Sequence, residues 1–209
     1  MYVCLIVDVT AFMVNRSISA SISSISTVRT GFSFRERVEH NPAGNVAVIQ
    51  MKDLREGYST IAKDEITWVS GEGIAPNHHL DKGDVLFVAK GQNNHAVVFD
   101  LDLPVAVAAS AFFVIRPDRS KVDPTYLAWW INQQPVQEYL HQNMAGTYIP
   151  NINRPTVEGI TVPLPPIEHQ RLIATVHGLA HTEQRSMREL AVKRQQLIDH
   201  LLTSTITAH

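Results

Sequence analysis

The 209-residue chain contains a single cysteine, Cys4, and lacks any long unbroken apolar segment. One cysteine excludes a disulfide framework and a zinc site built from several thiolates, and it is typical of a protein from a reducing compartment. The apolar start, residues 1–14, includes Asp8, lacks a basic leader and falls short of the roughly 20 residues that span a membrane. We therefore expect a soluble, cytoplasmic protein without a membrane partner.

An excess of charge of either sign is also missing. The chain has 18 Lys and Arg residues against 20 Asp and Glu residues, and its first 160 residues hold 13 basic and 16 acidic side chains. Apolar residues make up 44% and charged residues 18%, which excludes an intrinsically disordered chain. The bulk charge by itself therefore predicts neither a nucleic-acid nor a membrane partner.

Common catalytic motifs are absent as well. The sequence has no GxxxxGK[ST] phosphate loop and no GxSxG nucleophile turn. His177 and His181 are spaced i, i+4, but Gly178 stands where a zinc protease needs its catalytic glutamate. Asp118 and Lys121 lack the second carboxylate of a nuclease centre. We predict a non-catalytic protein without a metal or other cofactor of its own, and a small metal-dependent hydrolase is the weaker alternative.

The middle of the chain is rich in short strands. β-Branched or aromatic runs are separated by Gly, Pro, Asp and other polar residues, which is typical of strands. The runs are Val46–Met51, Glu65–Val69, Val85–Ala89, His95–Phe99, Val105–Ala109 and Phe112–Ile115. The Ser-Ile segment Ser17–Ser26 fits a strand and a helix face equally well. Turns are expected at Thr30-Gly31-Phe32 and at Asp81-Lys82-Gly83-Asp84.

Two helical regions follow the strands. The segment Pro124–Gln142 predicts a helix with Asp123 as N-cap and with Pro135 kinking or dividing it. From Pro166 onward the chain has no further proline, so residues 166–206 predict one helix about 60 Å long. The fold class is therefore α+β, with a strand-rich domain over residues 1–160 and a long protruding helix over residues 161–209.

The long helix carries a heptad stripe of nine positions, seven of them apolar. The stripe is Ile173, Val176, Ala180, Glu183, Met187, Leu190, Arg194, Leu197 and Leu201. In an antiparallel pair of such helices, Glu183 faces Arg194 near the helix midpoint. The stripe predicts an antiparallel coiled-coil homodimer, and the alternative is a chance polar pair on an ordinary helix.

Polar side chains cluster in two loops, Lys90–His95 and Gly146–Arg154. Asn and Gln pair with adenine edges, whereas Lys and Arg pair with guanine or phosphate. Amide-rich loops are also how plain turns are built, so this alternative stays open. The candidate DNA-binding residues are Arg35, Arg37, Lys52, Lys90, Gly91, Gln92, Asn93, Asn94, Thr147, Tyr148, Asn151 and Asn153.

Five segments in this order resemble the specificity (S) subunit of type I restriction–modification systems. They are Arg29-Thr-Gly-Phe-Ser-Phe-Arg35, Gly83-Asp-Val-Leu-Phe-Val-Ala-Lys-Gly91, Ala108-Ala-Ser-Ala-Phe-Phe-Val-Ile-Arg-Pro117, Gly146-Thr-Tyr-Ile-Pro-Asn-Ile-Asn153 and Val162-Pro-Leu-Pro-Pro-Ile-Glu-His-Gln170. The resemblance covers residues 25–206, whereas the first 20 or so residues match no segment of the family. It implies a half-length form, because the chain has one recognition domain and one helix.

The resemblance also implies partners. The family's subunit has no catalysis of its own and places methyltransferase and restriction motor subunits on double-stranded DNA. S-adenosylmethionine, ATP and magnesium are then expected on those partner subunits. Two copies of a half-length subunit imply a symmetric, interrupted target sequence. The alternative from the interaction class is a helix-mediated scaffold or decoy that binds the methyltransferase without reading DNA.

Overall fold

A computed structural model describes residues 18–55, 60–146 and 150–207, with side chains up to residue 204. The chain divides into two compact units, Met1–Arg171 and Leu172–His209. The first unit is rich in strands, and the second is formed by a long helix. The predicted α+β class with a long C-terminal helix is confirmed.

The elements are short except for the last helix. The strands are β1 (Ile18–Ser21), β2 (Ser26–Thr30), β3 (Val46–Ile49), β4 (Leu54–Arg55), β5 (Thr60–Ile61), β6 (Thr67–Val69), β7 (Val85–Val88), β8 (Ala96–Val98), β9 (Ala106–Ala108), β10 (Phe112–Pro117) and β11 (Thr161–Leu164). The helices are α1 (Ile22–Ile25), α2 (Pro124–Ile131), α3 (Gln134–Gln142), α4 (Arg154–Glu158) and α5 (Ile167–Thr207). Single 3₁₀ turns lie at Met51–Asp53, Lys63–Glu65 and Pro76–His78. Each of the six predicted strand runs overlaps an observed strand.

Two sheets share the main hydrophobic core. The first has the order β2-β10-β7-β8 with antiparallel neighbours, and the second has the order β6-β3-β9, in which β3 and β9 run parallel. Every residue of β3 and β7 is buried, which explains their unbroken apolar sequences. Ile49 from one sheet and Leu86, Phe112 and Val114 from the other belong to the same buried cluster.

The Ser-Ile segment contains both of the structures that its pattern allowed. β1 ends at Ser21, and α1 is a single helical turn that buries Ile22 and Ile25. The Ser24 hydroxyl donates to the Ser21 carbonyl, and the Ile22 amide donates to the Ile160 carbonyl at 3.0 Å. The helical turn therefore places two isoleucines three residues apart on the same buried side, while Ile18 in β1 stays 74% exposed.

The predicted helix over residues 124–142 is divided as expected. The Asp123 carboxylate accepts hydrogen bonds from the amides of Thr125 and Tyr126 and thereby caps α2. The helix ends at Ile131, and α3 begins at Gln134 with Pro135 in its first turn. A proline in that position costs no helical hydrogen bond, so the chain restarts there in a new helix.

Gln170 in the first turns of α5 is a buried polar residue that the sequence patterns did not indicate. Its side chain is 1% exposed, and Oε1 accepts from the Asp123 amide at 2.9 Å. Its Nε2 donates to the carbonyls of Lys121 and Pro165. Two of these bonds join the start of α5 to the loop before α2, and the third holds the segment directly before α5. All three lie within the first unit. The long helix itself runs from Ile167 to Thr207, as predicted.

The prediction of a turn at Thr30-Gly31-Phe32 is wrong. The chain stays extended there: the Gly31 amide donates to the Phe112 carbonyl, and the Phe32 amide donates to the Ala108 carbonyl at 2.7 Å. A Cβ atom on Gly31 would lie 2.1 Å from the Ala109 carbonyl oxygen. The glycine is therefore needed for close approach of two backbones and not for a turn.

Replacing Gly31 by alanine is expected to cost about 3 kcal/mol of the free energy of unfolding, because the added methyl meets backbone that cannot rotate away. The matched control is Gly178→Ala in the interior of α5, where a Cβ meets nothing within 4 Å. That change is expected to stabilise the helix by about 0.5–1 kcal/mol. Denaturant unfolding measures both, and equal stability of the two variants would contradict this role of Gly31.

None of the described helices combines the length and the apolar composition required to span a membrane.

Candidate nucleic-acid interface

Several chain segments converge at one end of the two sheets, which we call the loop end. The last residues of β2 and β7 pair with the start of β10: Thr30 lies opposite Phe113, and Val88 lies opposite Phe112. The parallel strands β3 and β9 end at the same level, since their last residues Ile49 and Ala108 lie opposite each other. The Ala109 amide, just after β9, donates to the Ile49 carbonyl at 2.9 Å. The segments that follow β2, β3, β7 and β9 therefore all leave the sheets at the same end.

Backbone hydrogen bonds join the two polar loops predicted to contact DNA. Lys90 and Asn151 form an isolated antiparallel bridge, and the Gly91 amide donates to the Pro150 carbonyl at 2.8 Å. The Ile152 amide donates to the Ala89 carbonyl at 2.9 Å. Two stretches that are far apart in the sequence, residues 90–94 and 150–153, therefore form one continuous surface at the loop end, which we call the joined surface.

Gly91 gives the β7–β8 loop its shape. Its φ of +96° lies in the left-handed region, where residues with a Cβ are strained. The loop reverses there, and the next two residues, Gln92 and Asn93, are exposed.

Four side chains of this joined surface are exposed and unoccupied. Within the described residues, the side chains of Lys90, Gln92, Asn93 and Asn151 make no hydrogen bond or ion pair. Their ammonium and amide groups are therefore free to bind a ligand. An ammonium suits a phosphate oxygen, and an amide offers a donor and an acceptor side by side for a base edge.

Two of the candidate asparagines support the loops instead. Asn94 is 2% exposed, and its Nδ2 donates to the Val88 carbonyl at 2.9 Å. The Oδ1 atom of Asn153 accepts from the Thr156 amide at 2.9 Å and thereby caps α4. These side chains fix the backbone on both sides of the joined surface.

The basic candidates Arg35 and Arg37 follow β2. They are exposed and line an open concavity of about 960 Å³, together with Phe32, Ser33, Phe34, Glu36, Val38, Glu39, Val69, Glu72 and Gly73. The rings of Phe32 and Phe34 meet edge to face at a centroid distance of 4.8 Å. Since glutamates line the same concavity, its charge is mixed.

Lys52 lies just after β3 and is exposed, and its Nζ donates to the Thr67 hydroxyl at 2.9 Å. Burial lowers the pKa of His95 in the β7–β8 loop, so that imidazole is neutral at pH 7. Among the candidate residues that the structure describes, positive charge comes from Arg35, Arg37, Lys52 and Lys90. Thr147 and Tyr148, the remaining candidates, lie outside the described residues.

Comparison with known proteins identifies the family. The family model described as "Type I restriction modification DNA specificity domain" matches residues 19–176, which is most of the chain. The chain belongs to this family. The resemblance to type I specificity subunits is therefore confirmed. The prediction that the chain is not itself an enzyme is confirmed too, because the specificity family is non-catalytic.

Solved specificity subunits have the same fold. The HsdS subunit from Thermoanaerobacter tengcongensis is similar with a TM-score of 0.63 and 19% identity over 86% of this chain and 45% of that one. A chain from a study of complex assembly and conformational transition of the type I R-M system matches with a TM-score of 0.66 and 20% identity, covering 87% and 46%. The S subunit from M. genitalium matches with a TM-score of 0.54 and 15% identity, covering 80% and 40%.

This specificity-family chain therefore spans less than half the length of those solved subunits. No protein among the curated sequences matches it.

The alternative of a small metal-dependent hydrolase finds no suitable set of metal ligands in the described part of the chain. His177 and His181 are near each other on α5, with ring centroids 6.4 Å apart. However, among the residues whose placement is described, no group of three His, Cys, Asp or Glu side chains is arranged to hold a metal ion. A catalytic zinc site needs three protein ligands.

A buried charge network lies at the opposite end of β7 from the loop end. Asp84 is 1% exposed, and its carboxylate accepts from Arg116 Nε and Nη2 at 2.8 and 2.7 Å and from the Asp81 amide. The Arg29 guanidinium lies 3.9 Å from Asp84 Oδ2 and donates to the His79 carbonyl. Hydrogen bonding to Asp84 raises the pKa of Arg116. This network fixes the turn before β7, which the sequence predicted without indicating the partners.

The predicted stripe on α5 is open to solvent in the single chain. Ile173 is half-buried, and every later stripe position is exposed, with Met187 and Leu190 at 61% and 68%. The exposed positions are Val176, Ala180, Glu183, Met187, Leu190, Arg194, Leu197 and Leu201. Apolar stripes of this length on a helix are typical of helix pairing.

Proposed function

We propose that this chain is a DNA-reading specificity subunit of a type I restriction–modification complex, and that its loop end contacts double-stranded DNA. Residues 1–160 act as the target-recognition domain, and residues 161–209 act as the pairing and spacing helix. The methyltransferase and restriction motor subunits dock on it in the cytoplasm. They supply S-adenosylmethionine, ATP and magnesium, and the modified atom is N6 of adenine.

The observation that carries the proposal is the joined surface of the two polar loops. The chain uses buried Asn94 and the α4 cap Asn153 to hold these loops, and it leaves Gln92, Asn93 and Asn151 without partners. A loop that served only as a turn would use its amides to satisfy its own backbone. Rigid backbone beneath free amides is what reading of base edges requires.

The content of the chain supports pairing of two copies. It contains one strand-rich unit and one long helix. Two copies paired through α5 present two identical recognition domains, and these read an interrupted palindromic target.

The near-neutral charge supports assembly with a partner. Proteins that bind DNA alone carry a strong positive surface, because phosphate contacts supply most of the affinity. Here the concavity beside Arg35 and Arg37 also contains three glutamates, Glu36, Glu39 and Glu72. The methyltransferase subunit therefore contributes much of the phosphate contact, and this chain contributes the sequence discrimination.

Lys90→Ala is expected to weaken DNA binding by the assembled methyltransferase about tenfold at physiological salt, since one phosphate contact is lost. The dependence of affinity on salt should become shallower by about one counterion, for every DNA sequence alike. The control is Lys82→Ala in the turn at the other end of β7, where the ammonium pairs with exposed Asp102 at 2.7 Å. Titration with labelled DNA at several salt concentrations measures both variants.

Equal binding and equal salt dependence for Lys90→Ala and Lys82→Ala would contradict contact of the loop end with DNA. The scaffold or decoy that binds the methyltransferase without reading DNA would then account for the chain better.

A further inference from the structure

Two opposite charges lie within the apolar stripe of α5 without partners on their own helix. The positions three and four residues from Glu183 and Arg194 hold no charged residue; they are Leu179, Ala180, Ser186 and Met187 around Glu183, and Leu190, Ala191, Leu197 and Ile198 around Arg194. In the described part of the helix neither side chain forms an ion pair. By contrast, Arg185 and Glu189, off the stripe, face each other at i, i+4.

We propose that Glu183 and Arg194 set the orientation and the register in which two copies of α5 pair. The helices run antiparallel, and Glu183 of each copy meets Arg194 of the other, which gives two symmetric ion pairs. This inference rests on the homodimer proposed above and specifies how the two copies recognise each other.

The register that joins these charges also matches the rest of the stripe. In it, facing positions have residue numbers that add to 377. Val176 then faces Leu201, Ala180 faces Leu197, and Met187 faces Leu190. Every apolar position from Val176 to Leu201 meets an apolar position, and each a position of the heptad meets a d position, as antiparallel packing requires.

Other registers leave a charge buried without a partner. A shift of one heptad in one direction sets Glu183 against Met187 and Arg194 against Val176. A shift in the other direction sets Glu183 against Leu201 and Arg194 against Leu190. An unpaired charge in an apolar seam destabilises the pair or forces the seam open.

Like charges disfavour the parallel arrangement. A parallel pair would place Glu183 beside Glu183 and Arg194 beside Arg194 within the same seam. Polar residues at seam positions select register and orientation in coiled coils in this way, at some cost in stability.

Charge reversal tests the proposal on the full-length chain. Glu183→Arg alone sets two arginines against each other, and Arg194→Glu alone sets two glutamates against each other. Each single variant is expected to self-associate about 30-fold or more weakly than the wild type, because like charges face each other in the seam. An equal mixture of the two variants should form a heterodimer, since both contacts then join Arg to Glu.

The double variant Glu183→Arg/Arg194→Glu is expected to recover the homodimer. Sedimentation equilibrium measures all of these, against the 23.3 kDa of a single chain. The controls are Glu189→Arg and Arg188→Glu, which make the same charge changes off the stripe and should leave the dimer intact.

The outcomes separate the two proposals. If the wild type is dimeric and the single reversals match their controls, the register is wrong although the homodimer stands. If the wild type is monomeric at every concentration, both the register and the homodimer fail. DNA reading by the loop end is still decided separately by the Lys90 and Lys82 comparison.

Discussion

Replacing Gln92 and Asn93 together by alanine is expected to lower the preference of the assembled complex for its target over unrelated DNA about 100-fold, since each well-placed amide contributes about 1–3 kcal/mol of base discrimination. Both amides are exposed and unpartnered, next to the Gly91 reversal. Because Lys90 is unchanged, binding to unrelated DNA should stay near the wild-type level. The measurement is the ratio of affinities for target and scrambled duplexes.

The matched control is Gln134→Ala on α3, whose amide donates to Glu138 on the same helix at 2.8 Å. It removes an exposed amide that is already paired on its own helix, so both affinities should be unchanged. If the double variant keeps the full preference for the target, the β7–β8 loop does not read bases, even where Lys90 contacts phosphate.

Asp84→Ala is expected to lower the free energy of unfolding by about 3 kcal/mol, because it breaks a buried ion pair. This value is at the low end for such pairs, since solvent screens the Arg116 side chain. Asp84 is 1% exposed, whereas the Arg116 side chain is 42% exposed. The substitution also removes the acceptor of the Asp81 amide and leaves Arg29, whose pKa burial already lowers, without its nearest carboxylate.

Asp81→Ala is the control, because Asp81 contacts the same Arg116 at 2.9 Å but is 69% exposed. Its loss should cost about 0–1 kcal/mol, as for other exposed ion pairs. Urea unfolding monitored by circular dichroism compares the two variants. A loss of stability at Asp84 no larger than at Asp81 would show that the network does not stabilise the turn before β7.

Local patterns predicted the central strands and the long helix. The strands β3 and β6 to β10 coincide with β-branched and aromatic runs bounded by turn residues, whereas β2, β4, β5 and β11 lie outside the predicted runs. The helix α5 extends over the region without proline because nothing in it interrupts a helix. The Ser-Ile segment was ambiguous since it contains both structures, joined at Ser21.

Long-range pairing explains what the sequence did not predict. Gly31 resembles a turn residue, and only its contact with the Ala109 carbonyl across the sheet shows why glycine is needed. Adjacent asparagines such as Asn93 and Asn94 are equivalent in a sequence pattern, but one is exposed and the other donates to Val88. Gln170 gave no signal because two of its three partners, Asp123 and Lys121, belong to a loop remote in the sequence.

The central claim, that this chain gives a methyltransferase its DNA target, is tested most directly by profiling DNA methylation across the source genome with the gene intact and deleted. We predict that an interrupted palindromic adenine-methylation motif disappears on deletion and returns with the wild-type gene. The Gln92→Ala/Asn93→Ala gene should not restore it. A methylation pattern unchanged by deletion, in cells that produce both the chain and an active methyltransferase, would contradict the account.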